Sequence, residues 1–134
     1  MTKKERIKRI RILADTFLFL HEAQPEAEVD MVHVDFNVCG TVACHAGWFA
    51  IAQGKDRTRD YDFLSAADEM AQLLGFDSGY DLCKWASDNQ EIWGNKHGAL
   101  MFNHHLAFVD SPEKLNLKAI GEHWHGVADR LEVN

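Results

Sequence analysis

The sequence predicts an all-α protein: a compact single-domain bundle of four to six helices around a buried central helix at about residues 41–53. Apolar residues recur at helical spacing in several separate segments. Segment 41–53 is apolar almost all round, which is typical of a helix enclosed by others. The chain has 134 residues, 46% hydrophobic and 26% charged, and this suits one domain spanning residues 1–134 with its own core.

The first helix is predicted over residues 3–22. Its apolar residues follow the i, i+3, i+4, i+7 spacing of an amphipathic helix, while lysine and arginine fall mostly on the outer face. They are Ile7, Ile10, Ala14, Phe17 and Leu18. We expect the helix to end before Gln24-Pro25, because a residue that precedes proline avoids helical backbone angles.

The next segment combines an acidic stretch with an alternating one. Residues 25–30 are mostly acidic and predict a loop. From Val32 to Val38, apolar and polar residues alternate, which is the period of a half-buried strand. We interpret residues 32–38 as an extended segment against the core, and a two-stranded hairpin stays open.

Helix boundaries in the middle of the chain are predicted from capping residues. Gly54 would end the central helix. Ser65 with Asp68 three residues later resembles a capping box that opens a helix from Ala66 to Leu74, capped by Gly75.

Two more helices are predicted towards the end of the chain. A short one covers about Tyr80–Ser87, and residues 88–103 form a loop with about one helical turn. Ser111-Pro112-Glu113 predicts the start of the last helix. Its apolar face comprises Leu117, Ile120, Trp124, Val127 and Leu131.

Charge is distributed unevenly along the chain, whose net charge is −7. Residues 1–11 contain six bases and one acid, so the remaining residues carry −12. A predominantly acidic chain argues against nucleic-acid binding, which needs clustered lysine and arginine. We interpret the basic residues as a solvated helix face, with Lys4, Lys8 and Arg11 as candidate partner contacts; the alternative is docking on RNA, DNA or an acidic protein surface.

The sequence predicts a cytoplasmic protein that does not contact membranes. Its basic and then apolar start differs from a signal peptide, because Arg11 and Asp15 interrupt the apolar run and no small-x-small cleavage site follows. No segment has the roughly 18 apolar residues of a membrane span. Three cysteines are an odd number, unlike the disulfide framework of a secreted protein.

One local motif is distinctive: Cys39-Gly40-Thr41-Val42-Ala43-Cys44-His45-Ala46-Gly47-Trp48. It resembles the Cys-Gly-Thr-x-x-Cys-x-x-Gly-Trp element of small helical proteins of bacteria and their phages. The resemblance covers roughly residues 35–130, including the Ala-Ala…Leu-Leu-Gly run at 66–75 and the Ser-Pro-Glu helix start. It implies a helical fold and a phage or mobile-element setting. No activity is established for that group, so no catalytic residue follows, and the group commonly has an aliphatic residue in place of His45.

The cysteine segment has one structural and three chemical interpretations. In the structural one, Thr41 caps the helix and Cys44 is a small buried apolar residue. In the second, Cys39, Cys44 and His45 bind zinc with a fourth ligand such as His33, His104 or His105. The third is a variant of the c-type haem attachment sequence. The fourth is a reactive thiol at a helix N-terminus.

Two further sites are candidates. Glu122, His125 and Asp129 share one helical face and can share a metal or a proton, although pairing between solvated side chains is the preferred explanation. Trp93 lies in the predicted loop, and tryptophan is enriched in binding hot spots, so it is a candidate partner contact.

These observations predict a non-enzymatic helical protein that acts through contact with a partner protein. The chain contains no glycine-rich phosphate loop, no His-Glu-x-x-His and no serine in a nucleophile elbow. No cofactor is predicted, and zinc stays open. The alternative is a metal- or thiol-dependent protein centred on Cys39, Cys44 and His45. Oligomeric state is left open.

Overall fold

Helices account for most of the chain that the computed structural model describes, which is residues 1–30, 42–43, 63–94 and 114–134. The predicted all-α class is therefore confirmed. The helices in these ranges are α1 (Lys3–Ala23), α2 (Phe63–Leu73), α3 (Gly79–Asp88), α4 (Gln90–Trp93) and α5 (Leu117–Val133). The same ranges contain three short strands, which are β1 (Glu28–Asp30), β2 (Val42–Ala43) and β3 (Lys114–Asn116).

The first helix forms as predicted. The Thr2 hydroxyl caps its start by accepting a hydrogen bond from the Glu5 backbone N–H at 3.1 Å. Its end is at Ala23, and the Gln24 N–H donates to the Leu20 carbonyl at 2.9 Å. The following Pro25 explains why the helix goes no further. Its buried side chains are Ile10, Leu13, Ala14 and Phe17.

The antiparallel pair of α1 and α5 has the most extensive contacts of the described elements. Lys3 at the start of α1 donates to the Asn134 carbonyl after α5 at 2.6 Å. Two turns further along α1, Arg11 contacts Asp129. Gly121 then lies so close to α1 that a Cβ there would be 3.0 Å from the Ala14 carbonyl oxygen. The absence of a side chain at Gly121 therefore permits this close approach.

In the described part of the chain, one cluster of buried apolar side chains lies between α1, α2, α3, α4 and α5. Burial of this apolar surface is the main driving force for packing the helices together. The largest fully buried side chains are Ile10, Leu13, Phe17, Met70, Leu74, Leu82, Leu117, Ile120 and Trp124.

The last helix has the predicted apolar face but starts later than predicted. Four members of that face, Leu117, Ile120, Trp124 and Val127, are fully buried, and Leu131 packs against them. The start at Ser111-Pro112-Glu113 is wrong, because Lys114–Asn116 pair in a strand and cannot be helical. The Asn116 side chain is the actual cap and accepts from the Ala119 N–H at 2.8 Å.

A small sheet in the order β2-β1-β3 corrects two predictions. Glu28–Asp30 form β1 instead of a loop, because they pair in parallel with β2 and antiparallel with β3. The predicted central helix 41–53 is wrong at Val42–Ala43, whose backbone pairs with Glu28 and Val29 as β2. The other residues of that predicted helix, and the predicted extended segment 32–38, lie outside the described residues.

The connection between α2 and α3 depends on a different set of caps from the predicted one. Helix α2 begins by Phe63, so Ser65 lies inside it and is not its cap. The Asp68 carboxylate instead accepts from the Gly79 N–H, at 2.7 Å, at the start of α3. Gly75 ends α2 with φ +89°, a left-handed angle that favours glycine, as predicted.

The predicted short helix and the single turn that follows it are confirmed as α3 and α4. Ser78 caps α3 by accepting from the Asp81 N–H at 3.2 Å. Helix α4 ends at Trp93, and the next residue, Gly94, has φ +84°.

Candidate interaction surface

The predicted thiol or metal residues, Cys39, Cys44, His45 and His33, lie outside the described residues. The zinc, haem and thiol interpretations therefore stay predictions.

Trp93 is a core residue, which corrects its predicted loop position. It ends the helical turn α4, is only 3% exposed, and packs edge-on against Trp124 with ring centroids 5.1 Å apart. The guanidinium of Arg130 donates to the carbonyls of Ile92 (2.6 Å) and Trp93 (3.1 Å), and so holds the turn against α5. The Trp93 ring is therefore not a surface contact in this fold.

Arginines in the first half of α1 bind backbone carbonyls of α2. Arg6 Nε donates to the Leu74 carbonyl at 2.9 Å, and Arg9 Nη1 donates to the Leu73 carbonyl at 3.1 Å. The Arg6 guanidinium also lies 4.4 Å from the ring centroid of Phe76, a cation–π distance. Burial lowers the pKa of Arg6 from its usual value. Carbonyls at the end of α2 lack the N–H donors that a further helical turn would supply. The guanidinium groups of Arg6 and Arg9 donate to them instead.

Arg11 was a candidate partner contact, and it forms ion pairs with α5. Its Nη2 lies 2.9 Å from Asp129 Oδ1 and 3.1 Å from Glu132 Oε2. The hydrogen bond that Arg11 donates to Asp129, followed by the charge of Glu132, raises the pKa of Arg11. Its charge is therefore already matched within the chain.

His125 forms a bridge from α5 to α1. Its Nε2 lies 2.8 Å from Asp15 Oδ1, and its Nδ1 lies 3.4 Å from Arg11 Nη1. Because a guanidinium only donates, Nδ1 is the acceptor there, and the ring proton is assigned to Nε2, which donates to Asp15.

The predicted set Glu122, His125 and Asp129 does not converge on a shared proton or metal. Glu122 pairs with Lys118 at 3.8 Å, whereas His125 and Asp129 contact residues of α1. Within the described ranges, no group of three or more His, Cys, Asp or Glu side chains could hold a metal ion. Pairing between solvated side chains is the interpretation that agrees with these contacts.

The side of α1 opposite its buried residues carries an exposed stripe, which we call the outward face. Steps of three, four and seven residues place its members on one side of the helix. They are Lys4, Lys8, Ile12, Asp15, Phe19 and Glu22, all exposed. The face includes two large apolar side chains, with Ile12 53% and Phe19 70% exposed. The sequence analysis missed these two residues, although a helical projection of residues 3–23 separates them from the buried set.

Of the charged residues on the outward face, Asp15 contacts His125, and the other three are unmatched within the described part of the chain. There, neither Lys4, Lys8 nor Glu22 forms an ion pair with any residue that the structure describes. A groove of about 610 Å³ runs beside the first half of the face, and Glu132 of α5 lies at its edge. The face thus combines apolar area with charged groups that are available to a partner.

The chain matches no protein-family model, and no curated protein or solved structure matches it. No helix among the described residues is long and apolar enough to cross a membrane.

Proposed function

We propose that this is a non-enzymatic protein that acts by binding another protein through the outward face of α1. The observation that carries the proposal is the alignment of Ile12 and Phe19, two exposed apolar side chains seven residues apart, on the side of α1 opposite the core. Single exposed apolar residues are common on protein surfaces and need no explanation. Two that are aligned on one helix and bordered by unmatched charges are typical of a binding surface.

The free energy gained by burying exposed apolar side chains favours a partner with an apolar patch. Covering an isoleucine or a phenylalanine contributes about 1.5–3 kcal/mol per side chain when burial is complete. The partly exposed Ile12 and Phe19 retain much of that free energy for association. Lys4 and Lys8 at one end of the face would steer an acidic partner surface towards it and set its orientation.

The biological setting of this proposal depends on the resemblance around Cys39–Trp48. The similar proteins belong to bacteria and their phages, so the chain would be phage-encoded or derived from a mobile element. Its role would then be accessory to infection or to host defence, in the cytoplasm.

The proposal is tested by affinity purification of the tagged protein from cells that naturally contain it. Three variants are compared with the wild type: Ile12→Ser, Phe19→Ser and the control Tyr80→Ser, which removes an exposed aromatic residue (75% exposed) from α3. We expect at least one specific protein, a second copy of the chain included, to be retained by wild type and Tyr80→Ser. It should be lost or strongly reduced with the two α1 variants.

Circular dichroism of each variant checks that the helices are intact, which exposed substitutions should leave unchanged. An identical set of proteins on all four baits would contradict the use of the outward face.

The second candidate is a metal- or thiol-dependent protein centred on Cys39, Cys44 and His45. The spacing of two cysteines five residues apart, followed directly by histidine, is the observation that favours it. Elemental analysis and thiol labelling of the native protein separate the two proposals. Stoichiometric zinc, or thiols that react rapidly at neutral pH, would favour this candidate, and inert thiols without metal would exclude it.

A further inference from the structure

We infer that the occupant of the outward face is a second copy of this chain, with the two α1 helices packed antiparallel about a two-fold axis. This inference rests on the proposed function, because it concerns the same face. It adds the identity of the partner and the register of the contact.

The order of residue types along the outward face is self-complementary. Positive charge comes first (Lys4, Lys8), the apolar pair Ile12 and Phe19 follows with Asp15 between its members, and negative charge comes last. The negative end comprises Glu22 and the exposed Glu26 in the turn after α1. A second α1 that runs in the opposite direction presents its acidic end to the basic end of the first.

The spacing of these residues fits one register. If the two-fold axis crosses α1 between residues 15 and 16, Ile12 of one copy faces Phe19 of the other. Lys8 then faces Glu22 of the second copy to within one residue, an offset of about 1.5 Å along the helix. Long lysine and glutamate side chains span such an offset. Each contact occurs twice, as a two-fold interface requires.

The parallel arrangement is unfavourable for the same residues. It would place Lys8 against Lys8 and Glu22 against Glu22, and like charges in direct opposition destabilise an interface. The apolar residues alone do not distinguish the two directions. The charges therefore select the antiparallel one.

Asp15 is the charged residue nearest to the two-fold axis. The Asp15 side chains of the two copies would therefore approach each other there. The Asp15 carboxylate accepts the hydrogen bond from His125 Nε2 at 2.8 Å. Asp15 is thus drawn to the α5 side of α1, away from the line that joins Ile12 to Phe19.

The expected dimer is weak. A contact made mainly by two helices lies at the small end of protein interfaces, below about 1,200 Å², where complexes are transient. Its charged ends are exposed, so added salt should weaken it.

The test is sedimentation velocity of the purified protein over a wide concentration range at low and at high salt. We expect a concentration-dependent monomer–dimer equilibrium whose dissociation constant rises about tenfold or more with Phe19→Ser. The single charge reversals Lys8→Glu and Glu22→Lys should each weaken the dimer. The double variant Lys8→Glu/Glu22→Lys should restore it, because the charges are exchanged but still opposite. Tyr80→Ser and Lys84→Glu on α3 serve as controls and should leave dimerisation unchanged.

A protein that is monomeric at every concentration overturns the inference, as does a dimer that is insensitive to all the α1 variants. A double charge variant no better than the single ones overturns the antiparallel register. If the protein is monomeric but still retains a different partner through Ile12 and Phe19, the second copy is not the occupant of the outward face. The proposed function would still hold in that case. A monomeric protein that also retains no partner through Ile12 and Phe19 overturns both proposals.

Discussion

Trp93 owes its burial to three contacts made by α5. Trp124 contacts the ring edge-on, the His123 ring lies 4.5 Å away from centroid to centroid, and Arg130 binds the Trp93 carbonyl. A tryptophan held in this way contributes to stability through packing and cannot be removed without leaving a cavity.

We expect Trp93→Ala to lower the free energy of unfolding by about 3–5 kcal/mol, because a large buried ring is replaced by a methyl group. Urea denaturation of the wild type and the variant measures this difference. The control Tyr80→Ala, at an exposed aromatic position, should change stability by no more than about 0.5 kcal/mol. Equal effects of the two substitutions would mean that the Trp93 ring lies in solvent.

Arg11 supplies a prediction for pH dependence. Its folded-state pKa is raised above its usual value, so its contribution to stability is fully present below that usual value and is lost only as the pH rises through the folded value. The destabilisation caused by Arg11→Met should therefore be equal at about pH 7.5 and pH 9.5, and no larger than about 1 kcal/mol for an exposed pair. Unfolding curves at both pH values measure it. A penalty that falls between them would show that another titrating group controls this ion pair.

At the scale of the helices, α1 and α5 are held together by close packing as well as by surface charges. A Cβ at Gly121 would be 2.6 Å from Leu18 Cδ2 and 3.0 Å from the Ala14 carbonyl oxygen. The Ala14 carbonyl belongs to the backbone, so it cannot rotate away as a side chain can. The two helices would have to separate to accommodate a side chain at this position.

Gly121→Ala should therefore lower stability by about 1–3 kcal/mol, the usual cost of overpacking, although alanine favours helix by about 1 kcal/mol. Gly126→Ala in the same helix is the matched control, since the three atoms nearest to its Cβ would all belong to the guanidinium end of the Arg130 side chain. Thermal unfolding should show the larger loss at Gly121. A stabilised Gly121→Ala protein would contradict the close contact of α1 and α5.

Periodic elements were predictable from the sequence, and elements that depend on distant partners were not. The spacing of Ile10, Ala14 and Phe17 is a local property, so α1 was predicted almost to the residue. β1 and β2 have three and two residues, too short for any periodic pattern, and they form only because distant backbone pairs with them.

Capping residues were a weaker guide, because the sequence offers more caps than the fold uses. Ser111 and Asn116 both precede apolar helical spacing, and pairing of Lys114–Asn116 in β3 decides in favour of Asn116. The burial of Trp93 also depends on tertiary contacts, which neighbouring residues in sequence do not encode. For the candidate surface, Lys4 and Lys8 were identified by charge, whereas Ile12 and Phe19 required the direction of the core to be known.

At the scale of the whole molecule, the pairing of α1 with α5 is the most extensive contact among the described elements. We expect the amides of residues 10–17 and 120–128 to exchange hydrogen most slowly, because they open only with global unfolding. Amides of α3 and α4, which have fewer contacts, should exchange through smaller openings. Hydrogen–deuterium exchange followed by mass spectrometry measures both. Faster exchange in α1 than in α3 would place the stable core elsewhere.

The basic residues of α1 differ in their contacts. Arg6, Arg9 and Arg11 contact protein groups and Lys3 donates to the Asn134 carbonyl, while Lys4 and Lys8 are exposed. Acylation reacts with lysine amines and leaves guanidinium groups intact, so acetylating Lys4 and Lys8 would remove the two lysine charges of the outward face without breaking any of the arginine contacts. Acetylation would thus change the charge of the outward face while the fold stays the same.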